Sequence, residues 1–263
     1  FGTLKKHNES SMMRLMDKII RFWQECTTFE KIYCVAFSVT SIAISIIQDA
    51  SFISALASIT GMWCVFLVAK GNLNNFYFGA IFLSLSGMIM WQYGLYITLA
   101  IHLGFYLPMQ LVGYWFWKRS PPLYQIHHED IVMRELFPRG WLAVLIAVII
   151  GSLIYIQFLT LFNVHYSQWD SVTLVISIVG QILTTFRFVE QWVTWLCLDI
   201  FNVIWWFLVL YPENGDLTIA VMWAFKLVNV FYGWYTWNKL GKAQTKLVSG
   251  PYCAYEPQFT RHY

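Results

Sequence analysis

Long apolar runs alternate with short polar breaks along this chain, and the apolar runs have the length of a bilayer crossing. A helix needs about 20 apolar residues to cross the hydrocarbon, within a range of about 17–25. Eight runs fit: 32–48, 52–69, 75–92, 95–117, 141–162, 171–188, 192–210 and 217–237. Residues 76–117 form one apolar stretch too long for a single helix, and Gln92-Tyr93-Gly94 is the break that divides it. Ahead of the first run, residues 12–25 set Leu15, Ile19, Phe22 and Trp23 on one helical face and Arg14, Lys18 and Arg21 elsewhere. That pattern predicts an amphipathic helix on the inner membrane surface, weighed against a plain basic tail. Residues 118–140 read as a polar linker with Pro121, Pro122 and His127-His128, a pair expected to be solvated and not to hold a metal.

Composition sharpens the picture. Apolar residues make up 58% of 263 positions and aromatics 19%, while charged residues are 12%, about half the usual soluble share. A soluble globule of this size cannot hide so much apolar surface. A soluble enzyme, a nucleic-acid binder and a disordered scaffold are therefore excluded, and an all-α polytopic membrane protein is expected. The five cysteines are scattered and form no CxxC pair, so neither a disulfide framework nor a zinc site is implied. Roughly 30 polar residues precede the first run, so no cleavable signal peptide is expected.

The charges test the span count, because Lys and Arg stay on the cytoplasmic side. With the N-terminus inside, the inner segments are 1–31, 70–74, 118–140, 189–191 and 238–263. They collect Lys70, Lys118, Arg119, Arg134, Arg139, Lys239, Lys242, Lys246 and Arg261, with Arg187 at an inner helix end. The outer loops near 49–51, 93–94, 163–170 and 211–216 hold no Lys or Arg, but carry Asp49, Asp170, Glu213 and Asp216. Eight spans with both termini cytoplasmic are therefore predicted. Lys226 is the one cation left inside a span.

The chain also repeats itself. Gly113-Tyr-Trp-Phe-Trp117-Lys falls over Gly233-Trp-Tyr-Thr-Trp237-Asn, an offset of 120 residues (113 against 233), which sets Tyr93-Gly94 over Glu213-Asn214. Each copy holds three spans, 52–117 and 171–237. The linker segment 118–162, with its single span, restores the orientation of the second copy. The expected architecture is a 3+1+3 parallel repeat about an axis along the membrane normal, as in the SWEET transporters. The span 32–48 precedes that core as an extra helix, and 1–31 and 238–263 are cytoplasmic ends.

Polar side chains inside spans are costly and mark functional sites by default. They gather in the second copy. Trp192, Trp195, Asp199, Asn202 and Trp206 share one helical stripe; Gln181, Thr184 and Thr185 lie on the span before, and Lys226, Asn229 and Gly233 on the span after. The first copy offers Trp91, Gln92, His102, Gln110, Tyr114 and Trp115. Indoles stack on planar rings and attract cations by about 0.5–2 kcal/mol. Amides donate and accept, which suits sugar hydroxyls and carboxamides. The stripe thus suits a flat, cationic ring on a sugar, against a simpler role for Trp192 and Trp195 as interfacial belt residues. Asp199 has three readings: an ion pair with Lys226, a counter-ion to the substrate, or a proton carrier. The isolated His102 reads as a packing residue. No nucleophile–base set, Walker loop, GxGxxG or HExxH appears, so neither an enzyme nor an ATP-driven pump is expected.

The run Gly180-Gln181 through Trp192-Val-Thr-Trp195, the following Asp199-Ile-Phe-Asn202 and the paired Gly-aromatic-aromatic-x-Trp ends resemble the PnuC family of bacterial nicotinamide riboside transporters over residues 50–240. The resemblance implies uptake of that vitamin B3 form across the inner membrane by facilitated diffusion, with no cofactor and no metal. A cytoplasmic riboside kinase would trap the product, and a homo-oligomer is compatible. It also implies that Trp192 and Trp195 flank the substrate while Asn202 and Gln181 hydrogen-bond it. Asn229, Gln110, Thr185, Phe188 and Asp199 complete the candidate set. The mononucleotide is expected to be rejected, since its phosphate has little to meet beyond Lys226. Three alternatives remain: another flat vitamin or nucleoside such as thiamine, which is also a cationic aromatic, an integral membrane enzyme, or a receptor or assembly subunit.

Overall fold

The computed structural model describes residues 17, 20–47, 49, 51–119, 132–161, 168–204 and 217–249, without side chains at 168–170, 217–221 and 245–249. Most of the amphipathic segment, the His127-His128 pair, Trp206, the loop 211–216 and the tail beyond 249 lie outside these residues. The chain divides into two bodies, Phe1–Ser51 and Phe52–Tyr263.

The first body carries α1, Thr28–Ile47, which begins four residues before its predicted span. A capping box explains the earlier start. Glu30 Oε2 accepts the Thr27 amide at 2.6 Å and Thr27 Oγ1 accepts the Glu30 amide at 3.3 Å. Both orphan donors at the helix start are thereby satisfied.

The second body holds α2 (Phe52–Ala69), α3 (Asn75–Gln92), α4 (Tyr96–Lys118), α5 (Pro138–Leu161), α6 (Gln168–Thr185), α7 (Gln191–Ile204) and α8 (Leu217–Ser249). By length and composition α1, α2, α4 and α5 can each cross a bilayer, and α6 and α7 carry shorter apolar stretches. Most of the long side chains of α5, from Leu142 through Leu161, are exposed. A helix that apolar and that bare needs lipid around it. The protein is an all-helical, multi-pass membrane protein.

Six helices close into a ring. α2 packs on α3, α3 on α4, α4 on α6, α6 on α7, α7 on α8, and α8 returns to α2. α5 rests on the outside of α6. The long apolar run divides at Gly94, whose φ of +69° a side chain would resist. The Gly94 and Leu95 amides donate to Trp91 and Met90 carbonyls at 3.2 and 2.9 Å, a Schellman stop. Inside α4, His102–Tyr106 widens to a π turn. Pro108 follows, has no N–H for the ladder, and makes such a local widening tolerable.

The turns after α2 and α6 have the same backbone. Gly71 (φ +67°) and Arg187 (φ +65°) both take the left-handed conformation. Gly71 and Asn72 donate to Val68 and Leu67 carbonyls at 2.9 Å each; Arg187 and Phe188 donate to Thr184 and Leu183 at 3.1 and 2.9 Å. The next amides match too, Asn75 to Asn72 and Phe76 to Leu73 against Gln191 to Phe188 and Trp192 to Val189. This correspondence runs at an offset of 116 (71 against 187), so the second copy has four more residues before its glycine than a gapless 120 allows.

The turns differ in cover. A non-glycine residue in the left-handed region costs roughly 1–2 kcal/mol, and around Arg187 the linker holds the backbone in place. Arg134 donates its amide to the Arg187 carbonyl and accepts the Val189 amide, both at 2.9 Å. Leu136 donates to Glu190 Oε1 at 2.9 Å, and Met133 to Gln244 Oε1 at 3.1 Å. The linker is therefore a strap across the α6–α7 turn and the extension of α8, which runs well past the predicted end at 237. Burial holds the Arg187 guanidinium below the usual arginine range, and the nearby Arg134 charge pushes the same way.

Candidate binding site between the two helix triplets

At the end of the ring that carries the strap, four aromatic rings meet. Trp117 and Trp237 are buried 5.8 Å apart between centroids. Phe76 stands edge-on to Trp117 at 4.9 Å, and Trp192 edge-on to Trp237 at 5.8 Å. Each outer ring lies on a glycine: an added Cβ on Gly113 would overlap Phe76, and one on Gly233 would overlap Trp192. The indole of Trp117 donates to the Thr184 carbonyl at 3.1 Å, and that of Trp237 to the Val68 carbonyl at 2.9 Å. Both bonds cross between helices 52–118 and helices 168–249.

Trp195 begins the polar region above this cluster. Its ring covers Gly180, and its Nε1 donates to Thr184 Oγ1 at 3.1 Å. The Thr184 hydroxyl donates in turn to the Gly180 carbonyl at 2.8 Å. Thr184 thus holds Trp195 by its hydroxyl and Trp117 by its carbonyl. Gln181 Nε2 reaches Thr185 Oγ1 at 3.5 Å, and Thr185 is fully buried. Asn202 Nδ2 donates back to the Leu198 carbonyl at 2.8 Å, which leaves its amide oxygen unused by that bond.

The α8 side faces the same interior. Asn229 is buried and donates to the Val65 carbonyl at 3.1 Å, while its Oδ1 has no partner among the described residues. Asp199 is buried, and Lys226 lies within electrostatic reach of its carboxyl group and of the Cys64 thiol. The Lys226 ammonium sits over the Trp223 ring, 4.1 Å from its centroid. Gln110 is buried against Gly79, where a Cβ would stand 2.6 Å from Oε1, with Cys64 alongside. One interior thus collects Cys64, Gly79 and Gln110 from the first triplet and Asp199, Lys226 and Asn229 from the second.

Of the nine residues singled out from sequence, Trp192, Trp195, Gln181, Thr185, Asp199, Asn202, Asn229 and Gln110 lie on the six ring helices. Phe188 stands apart. It lies in the α6–α7 turn with the Arg134 guanidinium 4.8 Å over its ring. There it lines a cavity of about 800 Å³ with Arg134, Glu135, Phe137 and Arg139, beside the strap and not between the triplets. Sequence reasoning missed Gln191. It is fully buried, and neither its Oε1 nor its Nε2 has a partner among the described residues. The signal was present in its place directly before Trp192, but a glutamine at a predicted helix end reads as a solvated cap. The Trp192 Nε1 is likewise buried without a partner among those residues. Among the described residues no three His, Cys, Asp or Glu side chains converge as a metal site would require.

Comparison with known proteins places this arrangement. The Nicotinamide mononucleotide transporter family matches residues 51–239. The nicotinamide riboside transporter PnuC of Neisseria mucosa is 32% identical over 82% of this chain and 83% of its own length. That of Haemophilus influenzae is 28% identical over 87% and 96%. A solved structure, described as the crystal structure of the vitamin B3 transporter PnuC, is similar with a TM-score of 0.72 and 30% identity, covering 83% of this chain and 94% of that one. With a ring of polar-lined helices and a match across nearly all of that ring, the chain belongs to the nicotinamide mononucleotide transporter family.

Proposed function

We propose that the protein takes up nicotinamide riboside across the bacterial inner membrane, by facilitated diffusion through the interior of the six-helix ring. The observation that carries the reading is the set of buried polar groups on α7 and α8 that find no partner among the described residues: Gln191, Trp192 Nε1 and Asn229 Oδ1. A buried donor or acceptor without a partner costs about 1–3 kcal/mol, a cost that a ligand rich in hydroxyls and amides recovers. Trp192 and Trp195 offer the aromatic faces for the pyridinium, and Asp199 the compensating charge. Gln181, Thr185, Asn202, Asn229 and Gln110 supply hydrogen bonds. Phe188, at the strap, acts in this reading through the turn it occupies.

The same proposal takes the eight runs as eight spans, with both termini cytoplasmic and the two triplets as parallel repeats. Supporting it are the matching turns at Gly71 and Arg187, the matching glycine–ring contacts at Gly113 and Gly233, and the Lys and Arg residues gathered at the strap end. A cytoplasmic kinase that phosphorylates the riboside would keep uptake running downhill, and self-association is compatible with the exposed apolar faces.

The family's name and its relatives' names differ by one phosphate. The interior favours the riboside: a phosphate would have to meet Lys226, whose ammonium already lies over the Trp223 ring. Calorimetry on purified protein tests the point. Binding of nicotinamide riboside and none of the mononucleotide is expected; preference for the mononucleotide, or for thiamine, would overturn it. Proteoliposome uptake should ignore imposed pH and sodium gradients.

A further inference from the structure

We propose that Trp117 and Trp237 form a paired latch that closes the cytoplasmic end of the pathway, and that transport opens it by breaking both indole–carbonyl bonds in one motion. The inference rests on the membrane orientation proposed above, but not on the identity of the vitamin. Lys70, Lys118 and Arg187 lie at the helix ends next to these rings, so this is the Lys/Arg-rich end that positive charge places inside.

Three features mark the pair as a latch and not simply as core. Each bond joins one triplet to the other, α4 to α6 and α8 to α2, at the two seams where the triplets meet. Each acceptor is already served by its own turn: the Val68 carbonyl also accepts the Gly71 amide at 2.9 Å, and Thr184 the Arg187 amide at 3.1 Å. The indole bond can therefore break without orphaning a buried acceptor, and the freed N–H meets cytoplasmic water once the end opens. The third feature is the link to the interior. Thr184 holds Trp195 by its hydroxyl, so whatever displaces Trp195 pulls on the residue that holds Trp117.

Cys64 is the natural reporter, since it faces the interior beside Gly79. In a full-length chain with Cys26, Cys34, Cys197 and Cys253 changed to alanine, a membrane-impermeant maleimide is applied to inside-out and right-side-out vesicles. Trp117→Phe and Trp237→Phe keep one aromatic ring at each position and remove the donors. Each should raise Cys64 labelling from the cytoplasmic face roughly five-fold, as one lost net hydrogen bond implies, and the double variant further. Labelling from the outside should not rise. Trp115→Phe and Trp234→Phe, on the exposed sides of the same helices, should label at the parent rate. Parent-rate labelling in both latch variants, or equal increases from both faces, would overturn the proposal. If a variant fails to fold, hydrogen exchange of the unaltered, ligand-free protein decides. The indole N–H protons of Trp117 and Trp237, read by NMR, should exchange at matching rates, and protection of one without the other would show two independent contacts.

Discussion

Set side by side, α3 and α7 begin with the same turn and keep the same register, yet they line the interior with different chemistry. Phe76, Gly79, Leu83 and Ser86 on α3 occupy the positions of Trp192, Trp195, Asp199 and Asn202 on α7. One stripe carries a single ring and no group more polar than a hydroxyl; the other carries two indoles, a carboxylate and an amide. The rings that pack on glycine are alike in both; the groups that could read a ligand are in one. Closure can thus be shared between the proposed repeats while recognition is concentrated in the second, with Gln110 the contribution of the first. The turns make the same point, since Gly71 takes its left-handed conformation unaided while Arg187 takes it under the strap of residues 133–136.

The largest expected effect tests the likeness. Gly113→Ala and Gly233→Ala each force a Cβ into a ring, and overpacking of that kind costs about 1–3 kcal/mol. Both should lower the melting temperature in detergent by similar amounts. A loss at Gly233 alone would break the correspondence. The next test concerns the difference: Trp192→Ala or Trp195→Ala should weaken riboside binding by about 1–2 kcal/mol in calorimetry, while Phe76→Leu should leave it nearly unchanged. Equal losses in the two halves would show that recognition is shared.

A subtler contrast lies in the paired amides. Asn75 Nδ2 donates to the Asn72 carbonyl at 2.7 Å, whereas Gln191 is unpartnered. In the ligand-free protein Asn75→Leu should cost about 1 kcal/mol of stability and Gln191→Leu close to nothing, by the logic of paired and orphaned polar groups. The smallest effect belongs to the strap. Glu190→Gln keeps an acceptor for the Leu136 amide but removes its charge, and a loss of about 0.5 kcal/mol is expected, read as faster hydrogen exchange at 133–136.

Much of the site was legible in the sequence. Trp192, Trp195, Asp199 and Asn202 share a stripe because a helix repeats every 3.6 residues, and intramembrane polarity marks itself by cost. The roles of Trp117 and Trp237 were not legible beyond their repeated spacing. Their partners are backbone carbonyls 67 and 169 residues away, and a carbonyl carries no residue identity to be read. Phe188 lay within a run that looked continuous with the site, but the left-handed Arg187 before it turns the chain out of α6.

From the sequence alone came the class of protein, the apolar runs, the break at Gly94 and the helix on which polar chemistry gathers. Each of these depends on how composition and periodicity vary along one dimension. The tertiary structure decided which seams the indoles bridge, that Gln191 is buried without a partner, that four residues separate the two offsets, and that the linker is a strap. Those depend on which distant segments come into hydrogen-bond range, and no local pattern encodes that.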